Sequence, residues 1–137
     1  MRPRILVIDG HPVYIHKLEG FLRGLTYKNI FIAPSGKEGL AIAAAQEIDL
    51  VILSGALYDM DSLTVCQKLK AAQGRIRIIV QVGLLTEQTG MIRFKESGAD
   101  AVLYKQEKDL APLQNAIEEL LRSLELELHE KHIGGPL

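Results

Sequence analysis

Three residues stand where apolar runs stop, and each carries a reactive group. Asp9 follows Ile5-Leu-Val-Ile8, Ser54 follows Leu50-Val-Ile-Leu53, and Lys105 follows Ala101-Val-Leu-Tyr104. Brought together, a carboxylate, a hydroxyl and an ammonium have the parts of a phosphoryl-transfer site. Such a site needs an acid for Mg²⁺, an in-line acceptor and a cation on the phosphoryl oxygens. The set has gaps. Ser54 is a weak nucleophile without a base, and no histidine is placed to take its proton. Gly10, next to Asp9, offers no second carboxylate, and a single acid holds Mg²⁺ poorly. A pairing of Asp9 with Lys105, with Ser54 between them, is expected in place of an active acceptor site.

The elements that must position these residues follow from hydrophobic spacing. Ile5–Ile8, Ile30–Ala33, Leu50–Leu53, Ile76–Val82 and Ala101–Tyr104 are short apolar, β-branched runs. They predict strands buried on both faces, as in a parallel sheet. Between them the spacing changes to that of helices. Pro12 suits a first helical turn, and Leu18, Phe21, Leu22 and Leu25 place helix one at about 13–24. Ser35 and Glu38 form a capping box ahead of Leu40, Ala43 and Ala44. Asp61 is expected to cap helix three, with Leu63, Cys66 and Leu69 inward and Gly74 at its end. Thr86 is expected to cap helix four, which carries Ile92 and Phe94 and stops at Gly98. Asp109 is expected to cap the last helix, with Pro112 in its first turn. Alternation of strand and helix means a parallel sheet covered on both faces, with working groups beyond the carboxyl ends of the strands.

The stretch from Asp49 to Asp61, with Ile5–Asp9, Gly98-Ala-Asp100 and Lys105, resembles the receiver domain of response regulators in two-component signalling. The resemblance covers residues 4 to about 121. It implies a flavodoxin-like three-layer sandwich, a five-stranded parallel sheet of order 2-1-3-4-5 with five helices, the last one extended. Position by position, the family's phosphoacceptor falls on Ser54 and its two metal acids on Asp9 and Gly10. The hydroxyl after strand four falls on Val82 or Gly83, the switch aromatic on Val102, and the lysine on Lys105. Tyr104, two residues after Val102, shares its face by strand alternation. Asp59-Met60-Asp61 keeps the family's turn, whereas Tyr58 and Ser62 replace its proline and glycine and Gln106 replaces the proline after the lysine. The resemblance therefore implies a receiver that has lost its acceptor aspartate. Its function would be phosphorylation-independent protein interaction, with no enzymatic activity, no cofactor and weak or absent Mg²⁺ binding. Its partner would be a histidine kinase, another regulator, an output domain or a second copy. Two alternatives keep the same residues: an anion or small-ligand sensor using Asp9, Ser54 and Lys105, and a dimerisation scaffold.

Composition narrows the classes further. A chain of 137 residues is one domain with a sizeable core. Its net charge of −1 gives no field for nucleic acid or anionic membrane. One cysteine, Cys66, excludes an internal disulfide, fits a reducing cytoplasm, and at helical spacing with Leu63 and Leu69 belongs to the core. No apolar run reaches the ~20 residues a membrane span needs, and no signal peptide is visible, so a cytoplasmic location is expected. His11 and His16 do not share a helical face and are expected in solvent; His129 and His132 sit near a fraying helix end. Gly10 and Gly55 flank the pocket and permit tight turns.

The last helix carries Leu110, Leu113, Ile117, Leu120 or Leu121, Leu124 and Leu128 at 3-4 spacing. At 1.5 Å per residue the run is about 28 Å long, more than this sheet requires. Residues 1–121 are taken as the receiver-like domain and 122–137 as a helical extension and tail, ending at Gly134-Gly135-Pro136. A helix projecting in this way is expected to pair with a second copy, giving a homodimer.

Overall fold

The computed structural model describes residues 2–133. The expected helix stop at Gly134-Gly135-Pro136 lies outside the described residues, as does the side chain of His132. Ten elements alternate along the chain: β1 (Arg4–Ile8), α1 (Pro12–Gly24), β2 (Asn29–Ala33), α2 (Gly36–Ala45), β3 (Leu50–Ser54), α3 (Ser62–Ala72), β4 (Arg77–Val82), α4 (Gln88–Glu96), β5 (Ala101–Tyr104) and α5 (Ala111–Ile133). The strands form one parallel sheet in the order β2-β1-β3-β4-β5. Register pairs Ile8 with Leu53, and Ser54 with Gln81. The carboxyl ends of β1, β3 and β4 therefore form a row at one sheet edge, where the sequence expects the working groups.

Because side chains alternate along each strand, the sheet divides the core in two. On one face Leu6, Ile8, Val51, Leu53, Val80 and Val82 pack against α2, α3 and α4. On the other, Ile5, Val7, Ile52 and Ile79 pack against Tyr14, Leu18 and Leu22 of α1 and Leu113, Ile117 and Leu121 of α5. Helix α2 lies close to β1 because Gly39 has no side chain. A Cβ there would meet Ile8 Cδ1 at 2.4 Å.

The helix starts follow the expected chemistry with one exception. Ser35 Oγ accepts from Glu38 N, Asp61 Oδ1 accepts from Leu63 N, and Asp109 Oδ1 accepts from Ala111 N. Thr86 does not cap α4; the N-cap is Glu87, without a side-chain bond. The amide of Thr86 is turned back onto Gly83 O at 2.9 Å, which pushes the helix start one residue on. Gly98 ends α4 with φ +111°, a conformation glycine adopts without strain.

The leucine stripe of α5 faces the chain's own sheet. Leu113, Ile117, Leu121 and Leu124 are buried, Leu124 to 3% exposure. Packing continues past residue 121, where Glu127 Oε2 meets Arg77 Nη2 at 2.8 Å. The stripe read as a dimer seam is thus largely core, and among the described side chains Leu126, 56% exposed, is left outward in that half of the helix.

Candidate functional site

The row at the carboxyl edge of the sheet opens into a cavity of about 380 Å³ lined by Asp9, Gly10, His11, Ser54, Ala56, Tyr58, Gln81, Gly83 and Lys105. The strand order brings Asp9, Ser54 and Lys105 to one place, as expected. Gly10 and Gly83 also line it. Val82 does not: alternation turns its side chain into the core beneath α4. Val102 is buried on that same face, and Tyr104, paired in register with Val82, follows it outward to the surface. The Tyr104 hydroxyl reaches the Thr86 carbonyl of the β4–α4 loop at 3.5 Å.

Asp9 is 3% exposed, and both its carboxylate oxygens are engaged. Oδ2 accepts from Lys105 Nζ at 2.7 Å, and Oδ1 accepts from the backbone N–H of His11 at 2.9 Å. Lys105 is placed by its own backbone N–H, which donates to Val82 O at 2.8 Å. The expected Asp9–Lys105 pair therefore forms directly. Ser54 lines the same cavity but does not bridge the pair. Its Oγ lies 3.2 Å from Ala56 N and 3.0 Å from Ala56 O, a local turn that occupies the hydroxyl. Ser62 secures that loop by donating to the Ser54 carbonyl at 2.8 Å.

The sequence reading does not place Ala56 or Tyr58 in the cavity wall, and it misses the pair formed by Tyr14 and Gln81. Tyr14 of α1 lies under the pocket, 1% exposed, with its ring 4.2 Å from Lys105 Nζ. Its hydroxyl pairs with the side-chain amide of Gln81, at 3.0 Å from Oε1 and 2.7 Å from Nε2. Burial pushes the Tyr14 phenol above its ordinary pKa; the Gln81 hydrogen bond opposes this, and the Asp9 carboxylate adds to it. The signals were present: Tyr14 is four residues before Leu18, and Gln81 is a polar residue inside Ile78-Ile-Val-Gln-Val82. His11, expected only in solvent, is exposed but also caps α1, its Nδ1 accepting from Tyr14 N at 3.3 Å.

The Asp59-Met60-Asp61 turn is structural. The Asp59 carboxylate accepts from the Lys37 and Gly36 amides at 2.9 Å each and so caps α2 from a neighbouring loop. Those two bonds, Lys37 first, hold its pKa below the usual carboxylate value. Met60 packs against the α2–α3 core and Asp61 starts α3. Cys66 is in the same core, where burial pushes its thiol up to about 11 and leaves it unreactive.

The cavity offers few oxygen ligands to a divalent cation. Asp9 is the one carboxylate among the lining residues, and Lys105 and a backbone amide already hold both its oxygens. Hard divalent cations select carboxylate oxygen, and neither Gly10 nor Ser54 adds one. No described helix is long and apolar enough to cross a membrane.

Comparison with known proteins gives a consistent neighbourhood. The response regulator receiver domain family matches residues 5–118. Response regulator PleD of Caulobacter vibrioides is 31% identical over 130 residues, covering 88% of this chain and 28% of that protein. DNA-binding response regulator MtrA of Mycolicibacterium smegmatis is 35% identical over 107 residues, covering 77% of this chain and 45% of that protein. The chain thus spans less than half the length of these relatives. Among solved structures, a two-component response regulator from Clostridium difficile superposes with TM-score 0.80 at 28% identity, covering 88% of this chain and 96% of that one. A CheY-like receiver domain from Methanospirillum hungatei gives TM-score 0.81 at 24% identity over 93% of this chain and 99% of that one.

Proposed function

The chain belongs to the response regulator receiver domain family, and from that premise we propose that it is a receiver that signals through protein contacts without being phosphorylated. The observation that carries this reading is the end of β3. Ser54 ends β3, where the family resemblance puts the acceptor, with its hydroxyl bonded into its own loop. Asp9 beside it is closed by Lys105, so metal, nucleophile and cation are impaired together. The partner would be a histidine kinase, another regulator or an output domain. Exposed Leu84, Leu85 and Ile92 on the β4–α4 loop and α4, with Tyr104 at the end of β5, support a protein-binding face.

Titration of the amide spectrum with Mg²⁺ and beryllofluoride, a mimic of an acyl phosphate, tests the reading. The resonances of Asp9, Ser54, Gly83 and Lys105 are expected to stay in place. Saturable shifts at these four positions would overturn it. Self-association through α4, β5 and the outer face of α5 is one form of the same reading. Sedimentation at micromolar concentration should then give twice the monomer mass, and a monomer at that concentration removes the second copy as partner.

A further inference from the structure

Lys105 is one of two lysine ties between α1 and the β5–α5 connection. Its ammonium leaves that connection to meet Asp9 and the Tyr14 ring. In the opposite direction, Lys17 of α1 donates from Nζ to the carbonyl of Glu107 in the same connection. Tyr14 and Lys17 lie three residues apart, so both ties use one face of α1. β1 and β5 are separated in the sheet by β3 and β4, so no backbone ladder joins them. Beneath the ties, Tyr14, Leu18, Leu113 and Ile117 share one core cluster. Gln81 of β4 anchors Tyr14 from below.

We propose that these reciprocal ties are a latch, coupling the first turn of α1 to the connection that starts α5, so that the two open together. The latch requires no phosphoryl group, and it stands or falls separately from the acceptor chemistry. The physical basis is that each lysine is fixed by a partner on the other element. Lys105 is oriented by a charge-assisted bond and a cation–π contact, both stronger than a solvated surface pair. A contact that disturbs the start of α1, where the cap His11 and the first residues Pro12 and Val13 are exposed, is thereby felt at the head of α5.

Hydrogen exchange on the full chain tests the coupling. On the α1 side the reporters are the amides of Tyr14, bonded to His11 Nδ1, and Ile15, bonded to His11 O. On the α5 side they are Asp109, bonded to Gln106 O, and Gln114, bonded to Leu110 O. Lys17→Met removes an exposed tie and leaves the pocket whole, so it cannot simply unfold the chain. It should speed exchange about twofold to fivefold on both sides, the size expected for losing one solvent-exposed charged contact. Asp9→Asn with Lys105→Met removes the second tie without stranding a buried charge and should do the same. The reference amides Gly39 and Gln46 of α2 should not change. Acceleration confined to the substituted side, or equal acceleration at the α2 amides, would overturn the latch.

Discussion

Ser54→Asp together with Gly10→Asp is expected to take up one phosphoryl group from acetyl phosphate in the presence of Mg²⁺, and Ser54→Asp alone to take up essentially none. The first substitution supplies a nucleophile that is already ionised at neutral pH, whereas the serine hydroxyl must lose a proton to nothing in particular. It does not supply a metal. At that stage two adjacent carboxylates, Asp9 and the new one, share a single cation, Lys105. Incoming phosphoryl charge then meets net repulsion. The second acid at residue 10 completes an oxygen set that a hard cation can use. A bound metal is worth several kcal/mol at such a centre, so the single variant should be slower by about a thousandfold. The site admits the change. A Cβ on Gly10 would lie 3.2 Å from Pro34 O and 3.7 Å from Tyr58 Cδ1. Gly10 is not among the glycines with positive φ, so backbone conformation does not forbid a side chain. A shift of a few tenths of an ångström in the exposed Pro34 and Tyr58 segments suffices. Labelling of Ser54→Asp as fast as the double variant would show that the missing acid is not limiting.

Lys105→Met is expected to be the most destabilising conservative change at the pocket, about 3 kcal/mol by urea denaturation. The reason lies on the other side of the pair. Asp9 has a side chain 4% exposed and would be left with one backbone amide as its remaining partner. Lys105 itself is 20% exposed, so water can enter and the loss falls at the lower end of the range for a broken buried pair. Adding Asp9→Asn removes the stranded carboxylate and should recover most of the loss. If Lys105→Met alone is neutral, the pair is an exposed contact and not an anchor.

The positions of Asp9, Ser54 and Lys105 were legible because each ends an apolar run, and strand ends converge in a parallel sheet. The direct Asp9–Lys105 bond followed from the same convergence. The direction of the Ser54 hydroxyl did not, since it depends on a two-residue turn to Ala56 that any serine in a loop can make. Val82 and Gly83 could not be separated by counting, because a one-residue ambiguity at a strand end switches the face. The pleat sends Val82 to the core and leaves Gly83 at the cavity. Tyr14 was not singled out by the spacing that placed helix one; its ring is core, and what spacing does not give is which cation lies above it. Gln81 was the stronger clue, since an amide inside a buried strand demands a partner. The α5 leucines illustrate the opposite limit. Their spacing defines a stripe, but a stripe does not say what covers it, and here the chain's own sheet covers it as far as Leu124.

The most direct test of a receiver that works without phosphate is intact-mass spectrometry of the unmodified chain after incubation with Mg²⁺ and acetyl phosphate, or with a phosphorylated histidine kinase. The mass is expected to be unchanged under both donors. A phosphate adduct that is lost in Ser54→Ala would contradict the account.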